Sequence, residues 1–163
     1  MRLSKRLLLP AFTVLVVIAT SVSPARADGF EKLNLTIDGA ASALPTPASF
    51  PFPGAIAGLI GGDATGTYSE TLTALFDGSG TPIGTLGVAT FDFGEGDTIT
   101  TQNLSLITGA SPDGSTLFVR SIGVITGATG ELSGVEGGFL SSSTVNALTF
   151  EFSTDVKLFL FDD

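Results

Sequence analysis

Two side chains of this 163-residue sequence are spaced to move a proton. Tyr68 and Glu70 stand two positions apart ahead of Leu72, Ala74 and Phe76, so in an extended strand all five point to one face. A phenol and a carboxylate on an otherwise apolar face can donate and accept a proton. Arg120 interrupts a second apolar set, Phe118, Ile122 and Val124, where a guanidinium could stabilise negative charge on a bound carbonyl or carboxylate. A lone buried cation is costly, so Arg120 must pair, with Glu70 or Glu136 as partner, or snorkel to an opening. The structural alternative leaves Arg120 at the rim of the fold and Glu70 in solvent. Tyr68, Glu70 and Arg120 are therefore the catalytic candidates, and Phe118, Phe150 and Phe152 are the candidates for lining an apolar site. Phe139 joins these three phenylalanines as a side chain that could instead fill the interior solidly.

The sequence contains no His, no Cys and no Trp. Ser-His-Asp and Cys-His machinery, an imidazole shuttle, thiolate metal ligands and disulfides are thereby excluded. Asp92, Glu95 and Asp97 place three carboxylates in one turn, a donor type suited to Ca²⁺, but without the full ligand ladder of a calcium loop. The reading of this turn is a solvated acidic hairpin with no metal, and no cofactor is called for elsewhere. Asn34-Leu35-Thr36 and Asn103-Leu104-Ser105 match the glycosylation sequon, a short pattern that matters only in a eukaryotic secretory host.

The elements that must hold these residues begin after a leader. Arg2, Lys5 and Arg6 precede an apolar run from Leu7 to Thr20, and Ala25-Arg26-Ala27 fits the small-x-small cleavage pattern of a secretory signal peptide. The run is shorter than the roughly 20 residues that cross a bilayer, so cleavage after Ala27 and a secreted or periplasmic destination are expected. Residues 28–163 then keep only Lys32, Arg120 and Lys157 against sixteen acids, a net charge of −13. Such a field disfavours nucleic acid and anionic membrane surfaces as partners.

All 21 glycines lie beyond residue 28, alongside twelve phenylalanines and abundant Thr and Ser, which is a strand-and-turn composition. Leu148, Phe150, Phe152, Val156, Leu158 and Leu160 alternate with Thr149, Glu151, Ser153, Asp155 and Lys157, the pattern of a long half-buried antiparallel strand. Further strands are predicted over 30–37, 67–76, 83–93, 98–108, 115–126 and 134–143. Between them lie turn clusters such as Asp77-Gly78-Ser79-Gly80 and Ser111-Pro112-Asp113-Gly114. About eight strands with no convincing helix imply a closed barrel or a two-sheet sandwich, and the barrel also removes exposed edges. Residues 38–62, with Pro45, Pro47, Pro51 and Pro53 among apolar side chains, are expected to form a long loop, either packed on the barrel or closing over a cavity.

The run Ile122 to Phe139, with glycines at 123, 127, 130, 134, 137 and 138, resembles the glycine-rich hairpin shared by allene oxide cyclases and dirigent proteins. Gly62-Asp63, Leu72 to Asp77, Ile83-Gly84 and Gly87-Val88-Ala89 are similar to the cyclase pattern upstream, and Lys157 to Leu160 to its closing strand, so the resemblance spans about residues 61–160. Gly127 and Gly130 can supply positive φ in the turn, while Gly134, Gly137 and Gly138 would allow sharp coiling or close backbone approach. A phosphate loop is the competing reading, but it lacks a Lys and a following helix, and Glu131 and Glu136 would repel phosphate.

The resemblance implies an eight-stranded antiparallel barrel holding an apolar small molecule, with homo-oligomeric assembly. Those families act by confinement, fixing one reactive conformer for cyclisation or coupling, which needs neither His nor Cys. The expectation is thus a secreted barrel that binds an apolar small molecule and steers its chemistry in an isomerase-like or dirigent-like way. The alternatives are a non-enzymatic carrier or structural surface barrel and, third, a calcium-dependent adhesion module.

Overall fold

The computed structural model of the protein describes residues 29–41 and 53–162, and the expected signal peptide lies outside them. Eight strands run in simple meander order: β1 (Phe30–Ala41), β2 (Pro53–Gly62), β3 (Gly66–Phe76), β4 (Pro82–Asp92), β5 (Thr98–Ala110), β6 (Thr116–Thr129), β7 (Glu136–Asn146) and β8 (Glu151–Phe161). Each pairs antiparallel with its neighbours, and β8 returns to β1, from Phe30 opposite Phe161 to Ala40 opposite Glu151, which closes the barrel. Closure leaves every strand paired on both sides, so no ladder is presented to a stray chain.

The turns are built by the side chains expected of them. Asp77 Oδ1 accepts from the backbone N–H groups of Ser79 and Thr81, and Asp113 accepts from Ser111 and Ser115 hydroxyls. Asp92 and Asp97 spend carboxylate oxygens on the N–H groups of Gly94 and Glu131, so this acidic hairpin is organised by its own backbone. Among the described residues, no group of three or more potential metal ligands gathers.

Three sequence expectations change. Most of the loop anticipated over 38–62 is strand: β1 continues to Ala41 and β2 begins at Pro53, while residues 42–52 lie outside the described residues. Gly54-Ala55-Ile56-Ala57-Gly58 has little intrinsic strand preference, and its conformation comes from pairing on both sides, with Ile56 opposite Ala41 of β1 and Glu70 of β3. The strand at the C-terminal end starts at Glu151, because Leu148 is exposed and Phe150 sits at φ +59 in the turn before it. Of the turn glycines, Gly130 and Gly134 do adopt positive φ, and Gly137 adopts φ +137 inside β7 against the Phe159 backbone. Gly127 instead lies in β6 beside a register shift, where Thr100 faces Gly127 and Thr101 faces Ile125.

The interior divides into two halves. At the end of the barrel near the β4–β5 and β6–β7 turns, Leu35, Phe91, Ile99, Phe139, Leu158 and Leu160 are almost fully buried and packed together. Phe91 stands edge-on to Tyr68 (5.2 Å, 72°) and to Phe139 (5.7 Å, 67°), forming an aromatic layer across the barrel. On the outside, β4 to β7 carry a row of aliphatic side chains in register, Leu86, Leu104, Ile122 and Leu140.

Candidate functional site

Beyond the aromatic layer the barrel holds a cavity of about 180 Å³. Its wall runs from Tyr68, Phe91 and Phe139 to the strand ends at Ala41, Pro82, Val145 and Phe152, the end from which the β1–β2 connection departs. Most of the lining is apolar, from Ile37, Ile56, Leu72, Ile107, Leu117 and Val119 among others.

Polar groups enter this wall in two sets. The first is a buried trio at the aromatic layer. Tyr68 Oη donates to Glu70 Oε2 at 2.6 Å, and Asn103 Nδ2 donates to Glu70 Oε1 at 2.9 Å. All three residues are more than nine-tenths buried. The trio meets because Gly87, between Leu72 of β3 and Asn103 of β5, has no side chain: a Cβ there would run into the Glu70 carboxylate and into Asn103 Oδ1. Burial, then the charge and the hydrogen bond of Glu70, push the Tyr68 phenol well above its ordinary value, so Tyr68 stays protonated and acts as donor. Asn103 Oδ1 has no hydrogen-bond partner among the described residues, and neither does the Thr101 hydroxyl deeper in the packed half.

The second set is an arc of hydroxyls one layer nearer the cavity end. Thr85, Ser105, Ser121 and Ser141 lie opposite one another on β4 to β7, and Ser143 faces Thr154 across β7 and β8. Ser105 bonds Ser121 at 2.7 Å and Thr154 donates to Ser143 at 2.8 Å, which satisfies these groups pairwise within the wall.

The structure brings together some of the sequence candidates and separates the others. Tyr68 and Glu70 share the wall, and Phe152 lines it. Arg120 and Phe118 are corrections, since both are exposed on the outer face of β6, with Leu117, Val119, Ser121, Gly123 and Ile125 on the inner one. Both faces of β6 are apolar, so alternation alone does not choose between them. The choice is made by Gly123, whose bare inner side receives the Phe139 ring, and by the Ser105–Ser121 pair. Arg120 therefore meets neither Glu70 nor the cavity. Phe150 is likewise not a lining residue: its carbonyl accepts from the Ala41 N–H at the strand ends. Glu136 is exposed at the start of β7.

Asn103 is the site residue that sequence reading missed. It appeared only within a sequon, yet its side chain is bonded to Glu70 inside the barrel and is closed to glycosylation in the folded state. Alternation across β5, with Ile99, Thr101, Asn103, Ser105 and Ile107 on one face, carried the signal, because apolar residues bracket the polar ones. Asn34, the other sequon residue, is exposed and donates from its backbone and side chain to Asp63. Comparison of the chain with protein-family models, with curated proteins and with solved structures finds no match.

Proposed function

We propose that this is an exported barrel whose interior takes up an apolar small molecule, in the manner implied by its resemblance to the allene oxide cyclases and dirigent proteins. The observation that carries this reading is the cavity of about 180 Å³, bounded by apolar side chains and by the Tyr68–Glu70–Asn103 trio. Protein interiors are close-packed, and a void of this size forgoes dispersion contacts that a guest would restore. A few polar groups converging on an apolar chamber is the usual form of a small-molecule site.

Carriage is favoured over catalysis by two features. Arg120 is on the outer face, which removes the cation that would stabilise a developing negative charge, and the Tyr68 proton is held tightly. Steering of a cyclisation or coupling would then fall to confinement, with Tyr68 and Glu70 orienting the guest. Native mass spectrometry of the protein purified from its own source tests the reading. The expected result is a small-molecule adduct released on collisional activation. Its absence, together with unperturbed methyl resonances of Ile37, Ile56 and Leu72 under xenon, overturns it.

A further inference from the structure

We infer that the guest is a small apolar amine, bound with its ammonium group against Glu70. The inference rests on the proposed role of the barrel interior as a binding chamber and names the chemistry that the chamber selects.

Glu70 is the one charged side chain in the cavity wall among the described residues. Both its oxygens accept, one from a phenol and one from an amide, and no cation among the described residues reaches it. Lys32, Arg120 and Lys157, the three cations of the described chain, all lie exposed on the outer surface. A buried carboxylate held only by neutral donors is a costly arrangement unless a counter-charge completes it. The described residues supply none, and an ammonium on the guest would.

The rest of the wall suits an ammonium better than an anion. Tyr68 Oη and one N–H of Asn103 Nδ2 are spent on Glu70, while Asn103 Oδ1 is an acceptor with no donor among the described residues. An ammonium brings three donors, enough for the carboxylate and a wall hydroxyl such as Ser141, and for the amide oxygen on a small turn of the Asn103 side chain, since that oxygen is closed to water as it stands. Tyr68, Phe91, Phe139 and Phe152 add ring faces and edges around the chamber, and the faces attract a desolvated cation. A carboxylate-headed guest of the same shape would meet Glu70 with like charge. In size, an apolar cavity of roughly 150 Å³ accepts benzene, so this one accommodates a single substituted ring or a short branched chain.

The test is a matched series of ring compounds titrated into the purified protein at neutral pH, followed by calorimetry and by NMR of the lining methyl groups. The compounds are benzylamine, benzyl alcohol, toluene and benzoate. Benzylamine is expected to bind at least about tenfold more tightly than toluene, with benzyl alcohol between them and benzoate not binding. Glu70→Gln, which keeps the shape and removes the charge, should bring benzylamine to within about twofold of toluene when both are measured on that variant. Toluene binding as tightly as benzylamine, or benzoate binding at all, overturns the amine inference and leaves the chamber reading intact. If none of the four binds, the amine inference falls, and the xenon experiment decides separately whether the chamber reading falls with it. The wild-type series decides the matter alone if Glu70→Gln does not fold.

Discussion

Tyr68 Oη donates to Glu70 Oε2 across 2.6 Å although one residue alone separates the two on the same strand. Side chains at such positions leave an extended strand on one face, and here they lean together because the ring is braced edge-on by Phe91 and the carboxylate lies over Gly87. The pair thereby forms a fixed donor–acceptor unit in the wall of the chamber.

Tyr68 is the chain's single tyrosine, so its ionisation can be followed by ultraviolet absorbance without interference. Its phenol should remain protonated in the folded protein well beyond the ordinary value of 10.0. Because the folded value is raised, its contribution to stability is complete below the unfolded value near 10 and is lost as pH rises toward the folded one. Stability against denaturant should accordingly fall above about pH 10, and Tyr68→Phe should abolish that dependence. The same variant keeps the ring and removes the donor, at a cost of about 1–3 kcal/mol at neutral pH.

Gly87 and Gly78 give opposite predictions for the same substitution. A methyl group at Gly87 meets the Glu70 carboxylate and Asn103 Oδ1, whereas at Gly78 it meets nothing within 4 Å. Gly87→Ala should cost about 1–3 kcal/mol in urea unfolding and weaken guest binding, since it separates the trio. Gly78→Ala should stay within about 0.5 kcal/mol of the parent.

Arg120→Met should change neither guest affinity nor turnover, because Arg120 points away from the cavity. Its stability effect should be within about 0.5 kcal/mol, as for other surface positions. A tenfold loss of affinity on calorimetry would place the guest outside the barrel, contrary to the cavity reading.

The Asp113 carboxyl is held at about 2 by the Ser111 hydroxyl and by the Ser115 N–H and hydroxyl. NMR titration of its side chain should show this value, and Ser111→Ala should move it back toward 3.8. The folded value is depressed, so the turn is favoured above the unfolded value of 3.8 and loses that support as pH falls toward 2.

The strand-and-turn character was legible because glycine and Asx clusters mark most of the reversals and because β8 sets apolar residues against Glu151, Ser153, Asp155 and Lys157. Tyr68 and Glu70 were legible for the same reason, as polar residues continuing the inner face of β3. Where both faces of a strand are apolar the contrast disappears, and Phe118 and Arg120 on β6 were assigned to the wrong one. There the decision belongs to contacts distant in sequence, such as the Phe139 ring over Gly123. β2 was hidden because its glycines and alanines are extended only by the partners on either side. Asn103 lay in plain alternation on β5, but its meaning depends on Glu70, 33 residues earlier.

The aromatic layer of Tyr68, Phe91 and Phe139 separates the half of the barrel that is filled from the half that is hollow. Side-chain packing is therefore concentrated on one side of that layer and the space for the proposed guest on the other. Ile107 and Val145 line the chamber and do not belong to the packed cluster, so substitutions there can reshape it with little effect on the side chains that keep the chain folded. If the proposed guest binds there, the barrel's specificity can be altered while its scaffold stays the same.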